Sequence, residues 1–515
     1  MNSLRPANPP TRTLGEVAGF LGASALGESR IALTGLTLAS GAVVPGDLFA
    51  AMPGANAHGA QFALAAMRAG ARAVLTDDAG LSLLDPEIPR LAIPAPRERL
   101  GSLAAWMYGY PARDLTVVGV TGTTGKTTVT WLIEAAMREA WGSAALLGTV
   151  ATRIGGEAIA SARTTLEAPD LHAAFARMRE RAVAGCAMEI SSHALALHRV
   201  DGLVCDVAVL TNLARDHLDF HGTVEQYHAA KAMLFAPGHA RRGVAWVDGR
   251  EGERLVDAAN VPIVRVGPAG VTAGAGVPPP DWQVEPRGPV SVDGRPAEGF
   301  RLTGPAVVEG ATQLIGGFNV VNAALALGVA INLGIDPEVA ARGIARLEAV
   351  PGRMDPVFGP NPSPLAVVDF AHTPDAIAAA LAALRGRTSG RIIAVLGAGG
   401  GRDQGKRPLM GEAAAQGADL VIVTDDNPRD EPPAGIRADV VAGAVGGAPG
   451  AQGTVFEIPD RAGAIRAAVF AAEVEDTVAI LGKGHETGQT IAGETRAFDD
   501  RTVLAEAMGE HGPWT

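Results

Sequence analysis

The stretch GTTGKTT (122–128) assembles the parts of a phosphate cradle. Gly122 and Gly125 allow backbone N–H groups to approach an anion, Lys126 is a point charge, and Thr127 offers a hydroxyl to Mg2+, with Thr123, Thr124 and Thr128 completing the loop. The residue six before Lys126 is Val120 and the nearest glycine is Gly119, so the full Walker spacing is not met. A metal-bound triphosphate wants more oxygen or nitrogen ligands, and Glu189 in MEISSH, His217 in ARDHLDFHG and Lys231 in HAAKAMLF offer them. The lysine is the odd member, since an ammonium repels Mg2+; it is either a surface lysine in a salt bridge or, as a carbamate, an anionic oxygen ligand. A second constellation is VTDDNPRDEPP (423–433), where Arg429 stands among Asp425, Asp426, Asp430 and Glu431. It reads either as a solvated charge run or as a recognition cation at the end of a strand.

These residues need elements to hold them. DLTVVGVTGTTGKTTVTWLIEAAMREA (114–140) is an apolar strand, a Gly/Thr loop and a helix with apolar residues at helical spacing. The strands CAMEIS (186–191) and DVAVLTNL (206–213) carry polar residues at their C-terminal ends, where open parallel sheets bind ligands. Upstream, GDLFAAM (46–52), an Ala-rich helix near 60–69 and ARAVLTD (71–77) form a small α/β unit. Residues 266–310, rich in Gly, Pro and Val, read as surface hairpins or irregular structure with little chemistry. After the Pro-Gly break in AVPGRMD (349–355), the stretches at 364–384, 391–400, 418–429 and 476–486 repeat strand-loop-helix, as in a doubly wound α/β domain.

A chain of 515 residues is too long for one core. With 47% hydrophobic and 19% charged residues it falls among globular proteins, and a net charge of -12 argues against a nucleic-acid partner. Cys186 and Cys205 lie in apolar runs without metal-ligand spacing and read as buried thiols. No basic leader precedes a long apolar segment and no 18-residue apolar run is free of charge, so the expectation is a cytoplasmic protein without membrane insertion; a monomer is expected separately, with no residue pattern behind it.

Taken in order, GTTGKTT, MEISSHALALHRV, TNLARDHLDFHGTVEQYHAAKAMLF, GGFNVVNAALAL, PGRMD, DFAHTPDA, GAGGGRDQGKRPLMG, TDDNPR and GKGHETGQ resemble the Mur ligase family of ATP-dependent amide-bond-forming enzymes, over about 115 to 490. The pattern most resembles the members that add meso-diaminopimelate to UDP-N-acetylmuramoyl-L-alanyl-D-glutamate in peptidoglycan precursor synthesis. The resemblance implies three α/β domains: a small N-terminal one for the UDP substrate (1–112), a central P-loop-type ATPase with a parallel sheet (113–349) and a Rossmann-like C-terminal one for the amino acid (350–515). It implies ATP and Mg2+ as cofactors and a carbamylated Lys231. Thr127 and Glu189 would then hold one metal, and His217 with the Lys231 carbamate a second. Asn319 would face adenine, Arg353 the phosphates and Asp369 the ribose. Leu38, Ser40, Thr164, Thr165, Ser191 and Arg199 would hold the UDP-sugar peptide. Arg402, Asp426, Asn427, Pro428, Arg429, Gly482 and Glu486 would hold diaminopimelate, with the Arg429 fork on its distal carboxylate and Glu486 on its distal ammonium.

The sequence also departs from the family. The usual DSR reads ASG (39–41), removing one acid and one base where the uridine end should bind; Leu197 replaces a frequent glutamine, Phe370 a tyrosine and Gly401 an acid. The rivals are a same-family ligase for lysine or another amino acid, a P-loop kinase or switch, and a non-catalytic scaffold. The kinase leaves ARDHLDFHG and Lys231 without a task, and the scaffold leaves the ligand set unexplained.

Overall fold

The computed structural model describes residues 4–54, 56–159, 163–214, 216–270, 279–446 and 454–511. Its chain divides into two compact units, one comprising Met1–Arg287, Phe300–Gly310 and Asn322–Ile344, the other Gly288–Gly299, Ala311–Val321 and Ala345–Thr515.

In the first unit, strands β1 (Gly35–Thr37), β2 (Asp47–Ala50), β3 (Ala73–Thr76) and β4 (Arg90–Ala92) pair in parallel in that order. Successive residues of β2 enter different cores. Leu48 and Ala50 pack with Leu14 and Leu103, whereas Phe49 packs with Ala63 and Ala66. Both faces of the small sheet are thereby covered, as a parallel sheet requires.

The larger sheet of this unit contains β5 (Thr116–Thr121), β6 (Ala144–Leu147), β7 (Gly185–Glu189), β8 (Val207–Leu210), β9 (Gly243–Trp246) and β10 (Ile263–Pro268). Their order is β6-β7-β5-β8-β9-β10, all parallel. Chain order reverses about β5, and ligands of open α/β sheets bind outside the C-terminal strand ends at such a reversal. Helices α1 (Lys126–Trp141) and α2 (Val224–Ala232) bring the phosphate loop and Lys231 to that end. Cys186 and Cys205 are free and buried. Burial pushes both thiols up, Cys205 to about 12, which makes them inert fillers. For residues 266–310, expected as surface hairpins or irregular structure, the hairpin alternative holds from 282 on: Trp282–Val292, Arg295–Thr303 and Val307–Thr312 are consecutive neighbours in the sheet, joined through Asp293–Gly294 and through residues 304–306; 271–278 lie outside the described residues.

The second unit carries β11 (Asp355–Val357), β12 (Leu365–Asp369), β13 (Ile392–Leu396), β14 (Leu420–Val423), β15 (Thr454–Glu457) and β16 (Thr477–Leu481), in the order β11-β12-β16-β13-β14-β15. Only β11 runs antiparallel to its neighbour. Ile377, Leu381, Met410, Ala414, Ile436 and Val440 cover one face, and Ile465, Val469, Leu504 and Met508 the other. This is the doubly wound arrangement that the strand-loop-helix repeat predicts. Between its helices lies a fully buried ion pair, Arg461 Nε to Asp500 Oδ1 at 2.7 Å and Nη2 to Oδ2 at 2.7 Å. Asp500→Ala would leave a buried guanidinium without its carboxylate, and we expect a loss of about 3–5 kcal/mol in denaturant unfolding. A loss below about 1 kcal/mol would show that water or a neighbour replaces the carboxylate.

Among the described residues no helix is long and apolar enough to cross a membrane.

Candidate active site

The phosphate loop is shaped from outside itself, by the segment that follows β8. Asn212 accepts from Thr124 N at 3.0 Å and donates to Thr124 Oγ1 at 2.9 Å, while its own carbonyl accepts from Thr123 N at 3.0 Å. Thr211 Oγ1 donates to Thr124 O at 2.6 Å. Gly122 has φ 149°, and a Cβ there would stand 1.8 Å from Thr211 Oγ1, so this position tolerates only glycine. Lys126 Nζ donates to the carbonyls of Gly122 and Thr123, both at 2.9 Å. Its charge therefore lies over the loop.

Behind the loop, Thr127 Oγ1 donates to Glu189 Oε2 at 3.0 Å, which joins the start of α1 to the end of β7. Glu189 is 1% exposed and also accepts from Thr149 N at 2.7 Å and Thr149 Oγ1 at 3.1 Å. With its proton on Glu189, Thr149 Oγ1 is placed to accept from Thr164 Oγ1 at 3.0 Å. Thr165 Oγ1 donates to Glu189 O at 2.9 Å and accepts from Ser191 N at 3.1 Å. One hydrogen-bonded network thus links the phosphate loop to Thr164, Thr165 and Ser191. Thr149, in LLGTVATR, is a member that sequence reading missed; its signal is a Gly-Thr pair at a strand's C-terminal end.

Lys231 is 1% exposed. Its Nζ donates to Gly122 O at 2.8 Å and sits 4.4 Å from the centre of the Tyr227 ring, with no carboxylate at ion-pair distance among the described residues. Burial, and then the charge of Lys126, drive its pKa well below the usual lysine range, with Asp216 opposing. The surface-lysine alternative is excluded by that burial. His217 is half-exposed, holds a left-handed backbone (φ 52°) and packs 6.1 Å from the same Tyr227 ring. Burial, Lys126 and Lys231 lower its pKa against the pull of Asp216, which favours the neutral imidazole that a metal needs.

The described residues contain no group of three or more His, Cys, Asp and Glu able to hold a metal ion by themselves. A hard cation here would take Thr127 and Glu189 oxygens and complete its shell with phosphate and water, which is the habit of Mg2+ rather than of Ca2+ or Zn2+. The donor set fits.

Arg199 Nε lies 2.9 Å from Glu167 Oε1, and Arg97 Nη1 reaches the other oxygen at 3.3 Å. Leu38 packs against the small-sheet core and Ser40 opens the short turn Ser40–Ala42.

In the second unit, Asp369 at the end of β12 accepts from Met354 N at 2.7 Å and Ala371 N at 2.8 Å. Burial raises its pKa, with Arg353 and these amides opposing. Arg353 stacks over Phe370 at 4.6 Å, a contact that the ring makes without a hydroxyl. Asn319 Nδ2 donates to Ile315 O at 2.8 Å.

The acids around Arg429 separate in three dimensions. Asp425 pairs with Arg437 at 2.6 Å, and Glu431 with Arg407 at 2.7 Å. Arg407, then the Gly401 amide, hold the Glu431 carboxyl at about 2. Asp430 is exposed, and Asp426 is 8% exposed and faces Gly482, where φ is 115° and a Cβ would stand 2.8 Å from Asp426 Oδ2. Arg429 itself takes a left-handed backbone (φ 55°), donates its N–H to Thr490 O at 2.9 Å and sends Nη1 to Gly400 O at 2.6 Å. Asn427 Nδ2 donates to Glu486 Oε2 at 2.7 Å, Pro428 is buried and Arg402 is exposed.

Family models match three segments: Mur ligase family, catalytic domain over 32–108, Mur ligase middle domain over 120–330 and Mur ligase, glutamate ligase domain over 352–484. The UDP-N-acetylmuramoyl-L-alanyl-D-glutamate--2,6-diaminopimelate ligase of Streptomyces avermitilis is 47% identical over 508 residues, 98% of each chain. The chain belongs to the Mur ligase family. A solved UDP-N-acetylmuramoyl-L-alanyl-D-glutamate--2,6-diaminopimelate ligase is 31% identical, covers 97% of this chain and 99% of its own, and superposes with a TM-score of 0.64. The MurF ligase of Thermotoga maritima in complex with ADP, 20% identical over 93% of this chain and 96% of its own, shares the fold at a TM-score of 0.63.

Within this Mur ligase the first unit gathers Thr127, Glu189, Thr164, Thr165 and Ser191 through one network, with Lys126 over the loop carbonyls and Lys231 and His217 around Tyr227. The second gathers Asp426, Asn427, Arg429, Gly482 and Glu486, and adds Lys483, which sequence reading passed over within GKGHE.

Proposed function

We propose that this Mur ligase joins meso-diaminopimelate to UDP-N-acetylmuramoyl-L-alanyl-D-glutamate at the expense of ATP, in the cytoplasm and as a monomer. The observation that carries an acyl-activating ligase over a kinase is Lys231, a buried lysine bonded to the first carbonyl of the phosphate loop with its amine biased toward the neutral form. Only an unprotonated amine adds to carbon dioxide, and the resulting carbamate would give this position an anionic oxygen. The diaminopimelate preference is supported by the 47% identical relative and by the fixed Arg429.

A carboxylate does not condense with an amine at neutral pH, because its leaving group is poor. Attack of the dipeptide carboxylate on the γ-phosphorus of ATP forms an acyl phosphate and releases ADP; attack of the amine on the acyl carbon then forms the amide and releases phosphate. In this reading Lys126 supplies a fixed cation to the β- and γ-phosphates, and the Asn212 and Thr211 bonds keep the loop in its phosphate-ready shape. Thr127 and Glu189 would hold one Mg2+, and His217 with a carbamylated Lys231 a second. When bound, Mg2+ neutralises phosphate charge and orients the transferring group. Thr164, Thr165, Ser191 and Arg199 orient the dipeptide, with Leu38 and Ser40 toward the UDP end. Asn319, Arg353 and Asp369 serve the nucleotide.

Incubation with ATP, Mg2+ and the UDP-muramoyl dipeptide against a panel of amino acids tests the reading. The expected result is one tripeptide product and one ADP per diaminopimelate consumed; a product made equally well with L-lysine would overturn the acceptor assignment, and ATP hydrolysis indifferent to the dipeptide would overturn the ligase.

Arg429→Ala should lower kcat/KM for diaminopimelate by about 2–5 kcal/mol, the usual cost of removing one member of a charged hydrogen-bonded pair. Arg429→Lys should recover little, since an ammonium lacks the two parallel bonds of the fork. KM for ATP and for the UDP-dipeptide should hold. Retention of the wild-type preference over lysine in Arg429→Ala would return the loop to a solvated charge run.

A further inference from the structure

Beside the Arg429 loop lies a cation that the proposed reaction does not use. Lys483 follows β16 and is 0% exposed. Its ammonium spends three hydrogen bonds, to Gly488 O at 2.7 Å, Glu486 Oε2 at 3.1 Å and Asn427 Oδ1 at 3.3 Å. Asn427 closes the triangle by donating Nδ2 to the same Glu486 oxygen at 2.7 Å, and its Oδ1 also accepts from Thr490 N at 3.0 Å. A buried lysine with every donor satisfied is a rigid peg.

The consequence falls on Glu486. Both bonds converge on Oε2, and Oε1 makes no hydrogen bond among the described residues, while the side chain is 36% exposed. One carboxylate oxygen is anchored and the other is presented. The charge count matters as well. Asp426 is buried and faces Gly482, and with Glu486 it makes two acids at a place where diaminopimelate would bring an ammonium together with a carboxylate. Arg461 also interacts with both acids but is itself paired with Asp500, so without Lys483 the two acids would be less fully offset and would favour the ammonium over the carboxylate. With it, one acid is offset, and a zwitterionic end is accepted.

We infer that Lys483 is a specificity-determining positioning residue: by pinning Glu486 Oε2 and Asn427 and offsetting one acid charge, it makes this pocket accept an amino acid with a zwitterionic distal end over one with a bare ammonium. The inference rests on the diaminopimelate reading.

The test is a double-mutant cycle of Lys483→Met with Glu486→Gln, assayed with ATP and the UDP-dipeptide against meso-diaminopimelate and L-lysine. Lys483→Met should lower kcat/KM for diaminopimelate at least about 30-fold and lower that for lysine much less, so the selectivity ratio falls, while KM for ATP and the UDP-dipeptide stays within about 2-fold. A merely structural lysine would depress both acceptors alike. The double variant removes cation and anion together and so creates no new unpaired charge, and it should fold even if Lys483→Met does not. It should lie within about 3-fold of Glu486→Gln, because Lys483 acts through that carboxylate. An unchanged selectivity ratio in Lys483→Met, or a further loss of about 10-fold or more from Glu486→Gln to the double variant, overturns the inference. A wild type inactive with diaminopimelate sinks the functional reading and this inference together; an active wild type with an additive cycle sinks this inference alone.

Discussion

Lys126→Ala is expected to lower product formation by at least about 10³-fold while the protein remains folded. The side chain is part-buried at the loop, with Nζ over the carbonyls of Gly122 and Thr123, and its loss returns those carbonyls to water at a cost of about 1 kcal/mol. The loop's shape survives, because Asn212 and Thr211 hold Thr123 and Thr124 from the neighbouring strand end. What disappears is the fixed positive charge against which phosphoryl transfer proceeds. ADP release in a coupled assay, alongside thermal unfolding, makes the measurement. Turnover within about 10-fold of wild type in a folded variant would remove GTTGKTT from the catalytic centre.

Lys231→Ala is expected to lose two orders of magnitude or more, roughly what removal of a metal's anionic ligand and its orientation costs. The space vacated is enclosed: the lysine is 1% exposed, against Tyr227 and the Gly122 carbonyl. A short carboxylic acid such as formate or acetate can enter it and present the oxygen that the carbamate would have supplied. Partial rescue that saturates with added acid, and that propionamide does not give, is the expected signature. Burial and the neighbouring Lys126 lower the Lys231 pKa, so the reactive neutral amine is populated at lower pH than for an exposed lysine. Bicarbonate should accordingly reactivate protein stripped of carbon dioxide at neutral pH. Full activity of Lys231→Ala without added acid would reduce Lys231 to a buried structural lysine.

What was legible in the amino-acid sequence was local. TVVGVT followed by GTTGKTT and the helix Lys126–Trp141 announces strand, phosphate loop and helix within 26 residues, because continuous apolar residues fit a strand covered on both faces and two glycines permit the turn between. The same holds for the repeated strand-loop-helix units after residue 349 and for Cys186 and Cys205, whose apolar surroundings foretold inert buried thiols. Over 282–312 the sequence left hairpins and irregular structure as alternatives, since Gly and Pro mask strand propensity, and pairing decided for hairpins. Tertiary structure alone decided the roles that depend on distant partners. Lys231 meets Gly122 across 109 residues, Thr127 meets Glu189 across 62, and Asn212 shapes a loop 88 residues away. Burial of a lysine, and the pKa it brings, is a property of that packing and has no local signal. The acidic run around Arg429 shows the same limit: four neighbouring acids look alike in the sequence, yet Arg437 takes Asp425, Arg407 takes Glu431, Asp430 stays in water and Asp426 alone turns inward to Gly482. A side chain's charge belongs to the residue, whereas its partner belongs to the fold, and the partner determines whether that charge is solvated, neutralised or left to meet a substrate.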